Sequence, residues 1–163
     1  PMAFSELVRG SWMNNGRNLA LNCALVSPEH NNKFVGLHMC LNNESLMSCV
    51  LNSAQYKNYP ERYTDSFYPV LCYTLAELLD SLNIKEVENI FLDTEGHEVE
   101  ILKGFPEDLI VRNLEVEQHD STDYQKEKDV IIDVCKKYNL KFESEILDGG
   151  YPKLNFKYKK EDS

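Results

Sequence analysis

Four side chains carry most of the chemistry open to this chain: Asp93, Glu95, Glu117 and His119. Phe91-Leu92-Asp93-Thr94-Glu95-Gly96 is an apolar run that ends in carboxylates and then turns. A buried parallel strand delivers side chains in this way to its C-terminal edge, where open α/β sheets bind ligands. Glu117 and His119 close the next apolar segment two residues apart, so they share one face of a strand. Parallel neighbouring strands would bring the two pairs about 5 Å apart and crowd all four onto one rim. Crowded carboxylates raise one another's pKa, and imidazole titrates near neutrality. Such a rim can take a proton from a substrate hydroxyl or hold a divalent cation.

Taken singly, each residue has a plainer role. Asp93, Thr94 and Glu95 suit a helix N-terminus, Gly96 a tight turn, and Glu117 and His119 a solvated strand end. Convergence of all four at a ligand-binding edge favours function. His30 and His38 read as structural. Asp120, Ser121 and Asp123 read as a loop and helix start.

Alternating strands and helices must position this rim. Phe4, Leu7, Val8 and Trp12 share one helical face, which closes near Asn14-Asn15-Gly16. Residues 19–26 and 34–41 read as strands. Residues 42–67 have no clear period and form either a lid or a partly helical segment. After a short strand at 70–73, Thr74 caps a helix with Leu75, Leu78, Leu79 and Leu82 on one face. A buried strand at 89–93 leads to a helix from about His97, with Val99, Leu102 and Phe105 inward. A strand at 113–119 precedes a helix marked by Val130, Ile131, Val134, Cys135 and Tyr138. Strands at 141–147 and 153–158 flank Asp148-Gly149-Gly150, a hairpin signal. The reading is a single α/β domain over 1–163 with a C-terminal antiparallel hairpin.

The charge is −10, from 27 acids and 17 bases. That argues against nucleic acid or an anionic membrane as partner, both of which need a positive patch. Lys157, Lys159 and Lys160 read as a solvated strand end. No stretch has the length and apolarity of a membrane span, and no signal peptide is visible at the start, so a cytoplasmic location is expected. Five widely spaced cysteines without a Cys-x-x-Cys pair fit buried thiols in a reducing compartment better than zinc or disulfides. Asn43-Glu44-Ser45 is a sequon by pattern alone.

From Asp93 to Gly104 the chain resembles the Asp-x-Glu-Gly-x-Glu-x-x-x-Leu-Lys-Gly signature of FkbM-type S-adenosylmethionine-dependent methyltransferases, with His97 at a position usually small. Leu114 to His119 resembles that family's strand ending in Glu-x-His. Thr74-Leu75 resembles its helix start, with Ala76-Glu77 where an Asp is common. Asn22-Cys23-Ala24-Leu25 resembles the segment that approaches the cofactor's adenine, and Pro1, Phe4 and Leu7 resemble the helix before it.

The resemblance implies a Rossmann-like methyltransferase sheet and S-adenosylmethionine as cofactor, touched by Ala24, Leu25 and Asp93. It implies O-methyl transfer to a hydroxyl of a small molecule or sugar. Asp93 would lie near the transfer centre, Glu117 or His119 would act as base, and Glu95 would orient the site or join in holding an ion. The family's glycine-rich turn and the acid after its second strand have no counterpart; Gly10, Gly16 and Gly36 stand isolated. The expectation is therefore a C-terminal portion of the domain. It would lack two strands between those at 19–26 and 89–93, bind cofactor poorly alone, and offer an open sheet edge for a homo-oligomer. Two other readings stand beside it: a non-catalytic module that pairs with another chain, and a divalent-metal-dependent hydrolase built on the same four residues.

Overall fold

The computed structural model describes residues 20–40, 49–50, 53–119, 123–148 and 151–159. The expected opening helix, the sequon, Asp120 and Ser121 lie outside the described residues. Local signals start the helices where the sequence places them. Thr74 accepts the backbone N–H of Glu77, and Glu77 Oε2 accepts that of Thr74, a reciprocal cap that opens α2 (Leu75–Ser81). Asp123 accepts the backbone N–H of Lys126 and opens α4 (Tyr124–Lys136). Between them lies α3 (Glu98–Lys103), and an earlier short helix, α1, spans Ala54–Asn58.

The strands form two four-stranded sheets. The first contains β1 (Ala24–Leu25), β2 (Phe34–Cys40), β3 (Cys49–Val50) and β4 (Tyr63–Tyr73), in the order β1-β4-β2-β3. The second contains β5 (Glu86–Leu92), β6 (Ile110–Glu117), β7 (Leu140–Asp148) and β8 (Tyr151–Tyr158), in the order β5-β6-β8-β7. β5 and β6 are parallel, whereas β8 runs antiparallel to both β6 and β7. The α/β class and the C-terminal antiparallel hairpin match the sequence reading.

Helices cover one face of the second sheet. Leu92, Leu114, Val116, Leu154 and Phe156 point to that face and pack with Ile101, Leu102, Ile131, Val134 and Cys135. Each fully buried Leu or Ile there contributes about 1.5–3 kcal/mol. The opposite face carries Asn89, Asn113, Asn155 and Lys157 beside Phe91 and Ile146. Phe91 is 71% exposed, which corrects the expectation of a strand buried on both faces. Among the described residues β5 also has β6 as its sole partner, so its outer edge is free.

Other boundaries shift. Regular strand pairing covers only Ala24–Leu25 of the expected 19–26, and β6 begins three residues before the expected 113. β4 begins at Tyr63, inside the segment read as lid or partly helical. Leu82 and Val130, assigned to inward helix faces, are 42% and 38% exposed. Gly104, at the end of α3, lies against the residue that follows β1: a Cβ there would stand 3.0 Å from the Val26 carbonyl oxygen. A side chain there would be tight, because the approaching atom is backbone and would have to shift by a few tenths of an ångström.

Candidate active site

Parallel pairing of Leu92 with Val116 brings the ends of β5 and β6 side by side. Asp93 and Glu95 follow the first strand, Glu117 ends the second, and His119 lies two residues beyond. His119 is 2% exposed. Its Nε2 faces Asp93 Oδ1 at 3.5 Å, Glu95 Oε2 at 3.8 Å and Glu117 Oε1 at 3.8 Å. The fold therefore gathers all four residues named from the sequence.

A fourth acid, Glu98, organises them. It is fully buried at the start of α3, and its Oε1 accepts the Thr94 backbone N–H at 2.7 Å, the Thr94 hydroxyl at 3.0 Å and the Gly96 N–H at 3.3 Å. His119 Nδ1 stands 3.0 Å from the same oxygen. An ionised carboxylate only accepts, so the Nδ1 proton points to Glu98 and Nε2 points to the rim. Glu98 is the second Glu of the signature at 93–104, yet its residue type alone assigned it no role. The signal available was Thr94 four residues earlier, a hydroxyl able to share a carboxylate across a turn.

The turn itself is unusual. Glu95 has φ 55° and Gly96 has φ 87°, two successive residues in left-handed territory. Gly96 enters it freely, whereas Glu95 does so at a cost of about 1–2 kcal/mol. Tyr151, also unforeseen, sets its ring 5.1 Å from the imidazole of His119.

Charge follows from this packing. Burial alone would lower the pKa of His119, but the hydrogen bond and charge of Glu98, aided by Glu95 and Asp93, raise it to about 9. Burial opposes ionisation of Glu98, yet His119 and the backbone donors hold it below the usual carboxylate range. Glu95 is pushed up by burial; His119 pulls against the rise, and Asp93, Glu98 and Glu117 add to it. Asp93 is 64% exposed at its side chain and opens the rim to solvent. Lys153 Nζ stands 3.6 Å from the second oxygen of Glu117 and partly neutralises it.

The first turn of α3 also borders a cavity of about 480 Å³ lined by Val26, Ser27, His30, Lys57, His97 and Glu100. Glu98 faces the rim, and His97 and Glu100 face this cavity. Burial lowers the pKa of His97, whose Nε2 has no hydrogen-bond partner. His38, read as structural, bonds to the Thr64 carbonyl and packs on Tyr56. Asp123 is the helix start expected of it.

The structure is that of an α/β protein with a carboxylate–imidazole cluster at the C-terminal edge of two paired parallel strands. A family model, the methyltransferase FkbM domain, matches residues 15–151. The chain belongs to this methyltransferase family. No curated protein and no solved structure shows a significant match.

The family implies S-adenosylmethionine, but the described residues do not fit that cofactor on their own. Gly36 sits inside β2 against Phe67, Gly104 ends α3, and Gly96 serves the Glu98 turn. Among the described residues none of these builds a glycine-rich turn that would let backbone approach a nucleotide. Ala24 and Leu25, the other expected cofactor contacts, lie in a different sheet from the strand that delivers Asp93. No helix among the described residues is long and apolar enough to cross a membrane.

Proposed function

We propose that the rim binds a hydroxylated small molecule or sugar and prepares it for O-methylation, with S-adenosylmethionine as the donor. The observation that carries this reading is the buried His119 held by Glu98 and facing Asp93, Glu95 and Glu117. A methyl donor of this kind is already reactive, so the protein's task is to align the acceptor and remove its proton.

His119 is an imidazolium at neutral pH, which makes it the charge that holds the rim together and leaves the base role to a carboxylate. Glu95 suits that role best, because burial has raised its pKa toward the operating pH. Glu117 shares the same pocket of charge with Lys153 behind it. Asp93, on the solvent side, meets the acceptor first.

The free edge of β5 is where this reading puts the strands that grip the donor, whether they belong to this polypeptide or to another copy. The test is formation of S-adenosylhomocysteine by the complete protein across a panel of hydroxylated acceptors. Glu95→Gln should lower kcat by about 10²–10⁴-fold. Absence of turnover with every acceptor would overturn the reading. The same free edge, with Phe91 beside it, favours a second reading as a non-catalytic pairing module. A stable dimer without turnover would select that one.

A further inference from the structure

We propose that Tyr151 is a positioning residue of the rim: its ring shields the His119 imidazole from water and keeps Nε2 turned toward Asp93, Glu95 and Glu117. The two ring centroids lie 5.1 Å apart, with 39° between the ring planes. Extended by two residues, the antiparallel register that pairs Glu117 with Lys153 places Tyr151 opposite His119. One backbone bond carries that register across the step, from the Gln118 N–H to the Pro152 carbonyl at 2.8 Å. Residues 117 and 119 share a face, as do 151 and 153, and directly opposed side chains lie on the same side of a sheet. Lys153 accordingly reaches Glu117 at 3.6 Å, and Tyr151 meets His119. β8 supplies none of the carboxylates around His119, so this contact is separate from the charge cluster.

Burial gives the contact its function. The rim opens to solvent at Asp93, yet His119 itself is almost fully buried. Part of that cover is the Tyr151 ring. Hydrogen bonds between charged groups strengthen where water is excluded, so the ring reinforces the bond between Glu98 and His119 Nδ1. A cationic imidazole is also attracted to an aromatic ring whose centroid lies within about 6 Å. Loss of the ring would admit water to the buried pair and free the imidazole to turn. The consequence for turnover rests on the methyl-transfer reading; the effect of the ring on His119 does not.

The test is NMR on the full chain with neither donor nor acceptor present. In the unsubstituted protein, nuclear Overhauser contacts are expected between the Tyr151 ring protons and the carbon-bound ring protons of His119. Exchange of the His119 Nδ1 proton with water is then compared across variants, its signal being assigned by its loss in His119→Gln. Tyr151→Leu should speed that exchange by roughly tenfold or more, and Tyr151→Phe, which keeps the ring, should leave it within about twofold. In turnover, Tyr151→Leu should lower kcat with KM little changed, and Tyr151→Phe should restore it. Missing ring contacts, or native exchange in Tyr151→Leu, would overturn the proposal. Equal damage from Tyr151→Phe would assign the effect to the hydroxyl and overturn it likewise. The expected NMR result without any turnover would sink the methyl-transfer reading and leave the positioning role standing.

Discussion

Glu98 Oε1 and His119 Nδ1 lie 3.0 Å apart, and both side chains are shielded from water. The pair sits behind the rim and fixes which nitrogen faces it. Removing one member of a buried charge pair leaves the other uncompensated and costs about 3–5 kcal/mol. Glu98→Gln keeps the shape and can still accept from Thr94, so a loss near the low end, about 3 kcal/mol, is expected in urea denaturation. With the charge gone, burial dominates His119, and its pKa should fall well below the present value of about 9. Imidazole resonances followed by NMR titration read this directly. A variant with unchanged stability and unchanged His119 titration would show that Glu98 does not anchor the imidazole.

The same interaction sets a pH window for stability. The folded pKa of His119, about 9, lies above its ordinary 6.5. Its stabilising contribution is therefore complete below pH 6.5 and lost as pH rises through about 9. Glu98 is shifted the other way, below its ordinary 4.5, so its contribution is present above that value and lost as pH falls through the lowered one. These are two views of one ion pair, not two energies to add. Thermal melts should show a plateau from about pH 5 to 6.5 and a decline toward pH 9. His119→Gln should flatten the alkaline decline, and an equally steep decline in that variant would assign it to other groups.

The rim was legible because its signals are local. A strand end followed by acids, and a Glu-x-His two residues apart, need only period-two geometry and parallel pairing to converge. Glu98 was not legible in the same way: its importance comes from a bond to a residue 21 positions away. β4 was half missed because Pro69 and its exposed residues argue against a strand interior. Pro69 pairs with Gly36 on one side, while β1 reaches only Cys72 and Tyr73 on the other. Among the described residues the strand is thus an edge at Pro69, where a missing N–H costs nothing. The exposed face of β5 was hidden for a different reason. Apolar residues on both faces of a strand are the pattern of a covered strand, and no local feature states what covers Phe91.

Gly96 offers a test of the turn that aims the rim. Its φ of 87° is open to glycine, and its N–H binds Glu98. Gly96→Ala should cost about 1–2 kcal/mol through backbone strain. It should also loosen Glu98, so the pKa of His119 should fall although neither partner of that pair has changed. An alanine variant with native stability and native His119 titration would show that the left-handed turn is incidental.

Cofactor binding gives the sharpest test of how the site is completed. S-adenosylmethionine needs close backbone approach at a glycine turn and an acid for its ribose hydroxyls. Among the described residues, Gly36, Gly96 and Gly104 are each committed to other contacts, and the acids of the rim are committed to His119. Isothermal titration of this polypeptide alone should therefore show no micromolar binding of S-adenosylmethionine. Strands paired along the free edge of β5 would stand next to Asp93 and would supply the missing grip. Affinity that emerges only when such strands are provided would join the two halves of the site at that edge. Micromolar affinity without them would mean that the cofactor is held by some means other than a glycine turn, and the rim would then be a whole site in itself.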